Sequence, residues 1–137
     1  MDNKRVEEIR QNFKKHPFLS LIGADLVDVE DGNVTLELTK KKELTQMFGY
    51  IHGGVLASIC DSACCNAAAT TLSSGWHVVT VDLNISYFRP ANSKGIKAYA
   101  KVLKTGKNLV FCEAEIFDIE DNKLLCKGIV TVKPVEI

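Results

Sequence analysis

The chain has 137 residues, of which 46% are hydrophobic and 25% charged, with Lys+Arg and Asp+Glu balanced at 17 each. That length allows one domain, residues 1–137, whose core needs no disulfide or metal staple. The charge balance excludes a global field that would draw the protein to nucleic acid or an anionic membrane, and no apolar run approaches the roughly 20 residues that span a bilayer.

Between Asp2 and Lys15, the residues Val6, Ile9 and Phe13 form a thin apolar stripe among charges, and His16-Pro17 ends the run. This predicts a short amphipathic N-terminal helix lying on the body of the fold. Leu26, Val27 and Val29 lead into Asp31-Gly32, after which Val34, Leu36 and Leu38 alternate with Thr35, Glu37 and Thr39: a β-hairpin. Residues 40–51 read as a loop with a helical turn.

From Gly53 to about Leu72 the residues are small and apolar on every side, which predicts one long helix, roughly 30 Å, buried in the fold. Beyond it, Val79 to Tyr87, Ile96 to Val102, Val110 to Ile116 and Cys126 to Val132 alternate with polar residues and are separated by turns. They predict a four-strand antiparallel meander. A helix apolar all round needs more than one cover. A curved antiparallel sheet wrapped around it, with a partner's helix on the remaining face, meets that need in an α+β domain. The five cysteines (Cys60, Cys64, Cys65, Cys112, Cys126) are odd in number, and the first fifteen residues are charged rather than leader-like. Free thiols in a reducing cytoplasm are the expectation.

The chemistry concentrates at the start of the long helix. His52-Gly53-Gly54 opens it, and the first N–H groups of a helix have no intrahelical partner. With the helix dipole they can polarise a carbonyl or hold an oxyanion, although the glycines could also serve only a tight turn. Asp61 is the one carboxylate inside the helix, and its neighbours one turn away, Ala57, Ser58, Ser62 and Cys65, include no counter-ion. A carboxylate there is costly unless hydrogen-bonded or functional. It reads as a general base or nucleophile, or else as a structural Asp bonded to backbone or serine. Gly53 and Asp61 are about 12 Å apart along the axis, too far to meet one reacting carbon within a single chain. Two such helices packed antiparallel through a face of Gly54, Ala57, Ser58, Cys65 and Ala68 bring them together, which predicts at least a dimer.

The segment Gln46-Met-Phe-Gly-Tyr-Ile-His52-Gly53-Gly54-Val-Leu-Ala-Ser-Ile-Cys-Asp61 resembles the signature of the hotdog-fold acyl-CoA thioesterases of the phenylacetate-degradation (PaaI-like) type. That signature has Asn or Gln six residues before His-Gly-Gly and Asp nine residues after the His. Thr80 to Pro90, the turn Leu103 to Asn108 and the closing strands are similar as well, so the resemblance covers nearly the whole chain. It implies a hotdog fold and hydrolysis of an acyl-CoA, with no cofactor and no metal. By resemblance, Asp61 activates water or attacks the thioester, and Gly54, with Gly53, polarises its carbonyl from the partner subunit. Gln46 and His52 place carbonyl and water, and Thr80 bonds near the nucleophile. The family often has Asn in place of Gln46 and Ser in place of Thr80. A homodimer, and beyond it a homotetramer, is implied.

Arg89, Lys94, Lys104, Lys107 and Asn108 lie at strand ends and turns where these enzymes bind the nucleotide of coenzyme A. Arg89 is foremost among them, because its planar fork suits phosphate. Cys60, Asp61, Cys64 and Cys65 lack zinc-type pairing and read as small core residues beside one carboxylate. Ser58 and Ser62 have no nucleophile-elbow setting, and no phosphate loop or dinucleotide fingerprint occurs. Two rival readings share the fold: a hydratase or dehydratase, which needs a His–carboxylate pair, and a non-catalytic acyl-CoA sensor. The acyl pocket is expected near Met47, Phe48, Tyr50 and Trp76.

Overall fold

A computed structural model describes residues 1–137. In chain order it contains α1 (Asn3–Lys14), α2 (Pro17–Ile22), β1 (Ala24–Glu30), β2 (Asn33–Thr39), a single 3-10 turn (Lys42–Leu44), α3 (Gly53–Ala69), β3 (Trp76–Tyr87), β4 (Gly95–Thr105), β5 (Val110–Asp118) and β6 (Leu124–Glu136). The six strands form one antiparallel sheet in the order β1-β2-β4-β5-β6-β3. The sheet wraps α3, which packs on all six strands. This is the hotdog architecture. No helix is long and apolar enough to cross a membrane.

Local chemistry sets the helix ends. Asp2 caps α1 by accepting from the Arg5 N–H at 2.8 Å. Pro17 does not only stop α1: it occupies the first turn of a second short helix, where its missing N–H costs nothing, and Gly23 at φ 80° closes it. Asp31-Gly32 makes the expected two-residue hairpin, with Glu30 opposite Asn33. At the far end of α3, the Thr70 hydroxyl accepts from the Gly32 N–H and donates to Ala67 O, tying the hairpin to the helix.

The inner face of the sheet explains how close the helix sits. Val34, Ala100, Ala114 and Gly128 stand side by side on β2, β4, β5 and β6, with Ile85 of β3 next in the row. Three small residues in line form a trough beneath α3. A Cβ on Gly128 would lie 2.5 Å from Cys60 Sγ, so only glycine permits this approach. Ile59, Cys60, Ala63, Cys64 and Ala67 of α3 are wholly buried against Leu36, Leu38, Ile96, Ile116, Val130 and Val132. Each large side chain so buried contributes about 1.5–3 kcal/mol.

Three expectations are corrected. The last four strands are not a simple meander: β3 pairs with β6 and β4 with β2, so the segment Phe88–Lys94 carries the chain across the sheet. The helix ends at Ala69 rather than near Leu72. Ala68 is fully buried and does not belong to the face left open on α3. That open face is formed by Gly54, Ala57, Ser58, Asp61, Ser62 and Cys65; position 68 lies within about 20° of Asp61 around the axis but is covered at its end of the helix.

Candidate active site

Asp61 sits midway along the open face of α3 and is half-buried. Its Oδ1 accepts from the Thr80 hydroxyl at 2.6 Å, with Cys65 Sγ at 3.8 Å. Cys65 and Thr80 are themselves 3.3 Å apart. Oδ2 has no protein donor, so one oxygen of the carboxylate is anchored and the other is free.

Thr80 reaches Asp61 because β3 is irregular. The alternation of the sequence puts Val79, Val81, Leu83, Ile85 and Tyr87 on one face and Thr80 on the other. A register shift between Thr80 and Asp82 inserts one residue, so Thr80 faces buried Val132, and Leu83 faces buried Val130. Thr80, Leu83, Ile85 and Tyr87 therefore share the helix side, and Val79 turns outward. This is a β-bulge aiming one side chain at a site.

At the start of α3, His52 Nδ1 accepts from the Gly54 N–H at 2.8 Å. The ring proton therefore sits on Nε2 in this geometry. Gly54 N–H is occupied, whereas Gly53 N–H has no acceptor. Of the two glycine donors expected to face a substrate carbonyl, Gly53 is the one left available. The Tyr87 hydroxyl donates to Gly53 O at 2.5 Å, and its ring lies where a Gly53 Cβ would make contact. Gln46 Oε1 accepts from the N–H groups of Phe48 and Tyr50, so Gln46 knots the loop and only its amide NH₂ remains to donate outward. Gln46, Tyr50, Gly53, Leu56, Tyr87 and Arg89 line one depression of about 340 Å³.

The remaining residues separate into two groups. Arg89 and Lys94 flank the chain segment near the N-terminal end of α3. Lys104 stands at the end of β4 and Lys107 and Asn108 in the turn to β5; Thr105 and Gly106 beside them border a cleft with Thr70 and Thr71 just beyond the other end of α3. Within one chain the length of β4, on the order of 30 Å, separates Lys94 from Lys104. Trp76 is likewise remote from Met47, Phe48 and Tyr50, since it stands at the opposite end of β3 from Tyr87. The cleft beside Thr70 measures about 840 Å³, is lined mostly by polar side chains and does not include Asp61.

Two participants, Cys65 and Tyr87, escape a reading of the sequence for chemistry. Cys65 carries one usable signal, its position four residues after Asp61, which places it on the same helix face. Tyr87 carries none beyond its place at a strand end. The thiols are all free. Burial pushes those of Cys112 and Cys126 up to about 12.

Residues 48–125 match the thioesterase superfamily. The chain is similar to human acyl-coenzyme A thioesterase 13, with 33% identity over 124 residues covering 89% of this chain and 88% of that protein. Among solved structures it resembles a thioesterase family protein from Silicibacter pomeroyi, with a TM-score of 0.92, 24% identity and coverage of 97% and 99% of the two chains. It also resembles the PaaI protein of the Escherichia coli phenylacetic acid degradation operon, with a TM-score of 0.87, 20% identity and coverage of 96% and 94%. The last two likenesses concern the fold.

Proposed function

The chain belongs to the thioesterase superfamily, and from that premise we propose that it hydrolyses an acyl-CoA at a site shared between two copies, with Asp61 as the reacting carboxylate. The observation that carries this reading is the free Oδ2 of Asp61 on the open face of α3, combined with the unpaired Gly53 N–H eight residues away. Neither group has a partner in its own chain, and a thioester needs both, a donor at its carbonyl oxygen and a base or nucleophile at its carbon.

The sheet supports the pairing. β3 is a twelve-residue edge strand bonded only to β6, and it leaves Val79 and Val81 at least half exposed. A long apolar edge of this kind invites another strand. Two β3 edges joined antiparallel about a two-fold axis continue the sheet and lay the two α3 helices side by side in opposite directions. The Gly53 N–H of the second copy then approaches Asp61 of the first. The same pairing brings the Arg89 and Lys94 end of one chain toward the Lys104, Lys107 and Asn108 end of the other, so the two groups together offer cations to the phosphates of coenzyme A. Assembly of two such dimers into a tetramer extends this reading, supported by exposed Tyr99, Leu103 and Ile129 on the sheet's outer face. Five free thiols suit a cytoplasmic setting.

Chemically, Gly53 N–H and the dipole of α3 polarise the thioester carbonyl. Gln46 NH₂ and His52 Nε2–H donate to the carbonyl or the water. As a base, Asp61 Oδ2 removes a proton from water while the oxygen attacks the carbonyl carbon. The tetrahedral intermediate then expels the thiolate of coenzyme A, which takes up the proton. As a nucleophile, Asp61 Oδ2 attacks the carbonyl carbon and expels the thiolate of coenzyme A, leaving an anhydride. Water then cleaves it to the acid and the Asp61 carboxylate, and the proton released goes to the thiolate. In both cases thioester and water become acid and thiol.

The test is thiol release from a panel of aromatic and fatty acyl-CoAs by the wild type and Asp61→Ala. The variant is expected to lose about a hundredfold or more in kcat. Binding without thiol release would make the protein a sensor of acyl-CoA. Loss of an enoyl thioester, or its formation from a β-hydroxyacyl-CoA, without free thiol would make it a hydratase or dehydratase.

A further inference from the structure

We infer that Cys65 is a positioning residue of the active site, donating its S–H to Thr80 and thereby fixing the Asp61 carboxylate with Oδ2 outward. This rests on the reading of Asp61 as the reacting group. The contacts are Cys65 Sγ to Thr80 Oγ1 at 3.3 Å, Thr80 Oγ1 to Asp61 Oδ1 at 2.6 Å, and Cys65 Sγ to Asp61 Oδ1 at 3.8 Å.

Proton counting fixes the polarity of this triangle. An ionised carboxylate only accepts. Thr80 has one proton, and at 2.6 Å it is spent on Asp61. Between Cys65 and Thr80 the thiol must therefore donate, because the hydroxyl has only lone pairs left to offer. The order is Cys65 S–H to Thr80 O–H to Asp61 Oδ1: the one other acceptor within reach of the thiol is Asp61 Oδ1 at 3.8 Å, and Thr80 Oγ1 at 3.3 Å is the nearer. Thr80 stands on an exposed edge strand, where a hydroxyl would otherwise turn toward water. The thiol behind it selects the one orientation that reaches Asp61. Hydrogen bonds polarised in series in this way reinforce one another.

Cys65 differs from its four companions. Cys60, Cys64, Cys112 and Cys126 are completely buried and serve packing, while Cys65 is half-buried and faces two polar groups. Burial, with the Asp61 charge adding to it, pushes its thiol up to about 12. At neutral pH it keeps its proton, so it acts as a donor and not as a nucleophile.

Two measurements test the inference. The first compares wild type, Cys65→Ala and Cys65→Ser in steady-state thiol release. Cys65→Ala should lower kcat about tenfold with KM within about twofold, the pattern of a lost alignment rather than lost binding, and Cys65→Ser should recover most of the loss. Equal kcat in wild type and Cys65→Ala, or a serine variant no better than alanine, overturns the catalytic role. The second is the infrared S–H stretch of Cys65, isolated by subtracting the Cys65→Ala spectrum. It should lie below the frequency of a free thiol and rise in Thr80→Val. A band unmoved by Thr80→Val, whether at the free-thiol position or lowered by a bond to Asp61, overturns the hydrogen bond to Thr80 whether or not the enzyme is active. Full activity in Asp61→Ala instead removes the parent reading and with it the catalytic consequence, and the infrared band then still decides the arrangement.

Discussion

Asp118 shows what a single carboxylate does when its neighbours all donate. Burial works to raise it, but Ser93 O–H at 2.7 Å and the N–H groups of Glu120 at 2.8 Å and Asp121 at 3.3 Å all point at Oδ1 and hold it below its ordinary value of 3.8. The group organises the β5–β6 turn, in which Asn122 takes φ 59°. Because the folded state holds the proton less tightly than the unfolded chain, this stabilisation is complete above pH 3.8 and is lost as pH falls through that value toward the lower folded one. Urea unfolding at pH 7 should find Asp118→Asn weaker than wild type by about 1–2 kcal/mol. The gap should shrink below pH 3.8; a gap constant with pH would contradict the assignment. Asp61 is legible in the sequence because it interrupts a long run of small apolar residues. Asp118 is not, because an Asp beside a turn is unremarkable until its donors are placed around it. Cys65 is hidden for a third reason: a cysteine among alanines reads as packing, and only the position of Thr80 gives it a partner.

At the scale of elements, α1 is anchored to α3, the helix that carries the proposed site. Arg5 is buried; its Nη2 donates to Ala69 O at 2.8 Å and Trp76 O at 3.1 Å, and its Nη1 pairs with Glu8 at 2.9 Å. Ala69 is the last residue of α3, so a guanidinium neutralises the negative end of the helix while bridging it to the start of β3. Arg5→Ala leaves two carbonyls without these donors and should destabilise the fold by about 2–3 kcal/mol, measurable as a lower urea midpoint with the slope unchanged. An unaltered midpoint would mean that α1 merely rests on the surface. The sequence shows Val6, Ile9 and Phe13 as the buried stripe, and two of these, Ile9 and Phe13, are buried. Arg5 looks there like any solvated charge, since burial of its head depends on carbonyls supplied some sixty-five residues later. The bulge in β3 is hidden for a similar reason: period-two alternation continues unbroken through Thr80-Val81-Asp82, and only the pairing with β6 shows one residue too many. The trough of Ala100, Ala114 and Gly128 is equally a product of register, since three small residues on three strands mean nothing until they stand in a row.

For the whole molecule, composition and pattern were enough to call for a sheet around one helix, because a helix apolar on every side demands covering. Strand order was not legible: short turns favour neighbours, and nothing in Phe88–Lys94 announces a crossing from one edge of the sheet to its interior. That crossing is what leaves β3 at the edge with Thr80 on it, beside the open face of α3. If the proposed site joins Asp61 of one copy to Gly53 of another, its halves can be supplied by different defective chains. Asp61→Ala and Gly53→Pro, the second lacking the N–H, should each be nearly inactive alone. Pro is tolerated in the first turn of a helix, so the second variant should still fold. After mild dissociation and reassociation of an equal mixture, half of the dimers are mixed, and each mixed dimer holds one intact site and one doubly damaged site. Activity should return to about a quarter of the wild type per chain, as two-fold symmetry requires. Recovery must also depend on subunit exchange, and so fail when the two variants are combined without dissociation and assayed at once. A site contained within one chain cannot behave in this way, because every chain in the mixture lacks one of the two groups. No recovery from a mixture shown by mass spectrometry to contain mixed dimers would therefore rule out the shared site, while leaving the family assignment untouched.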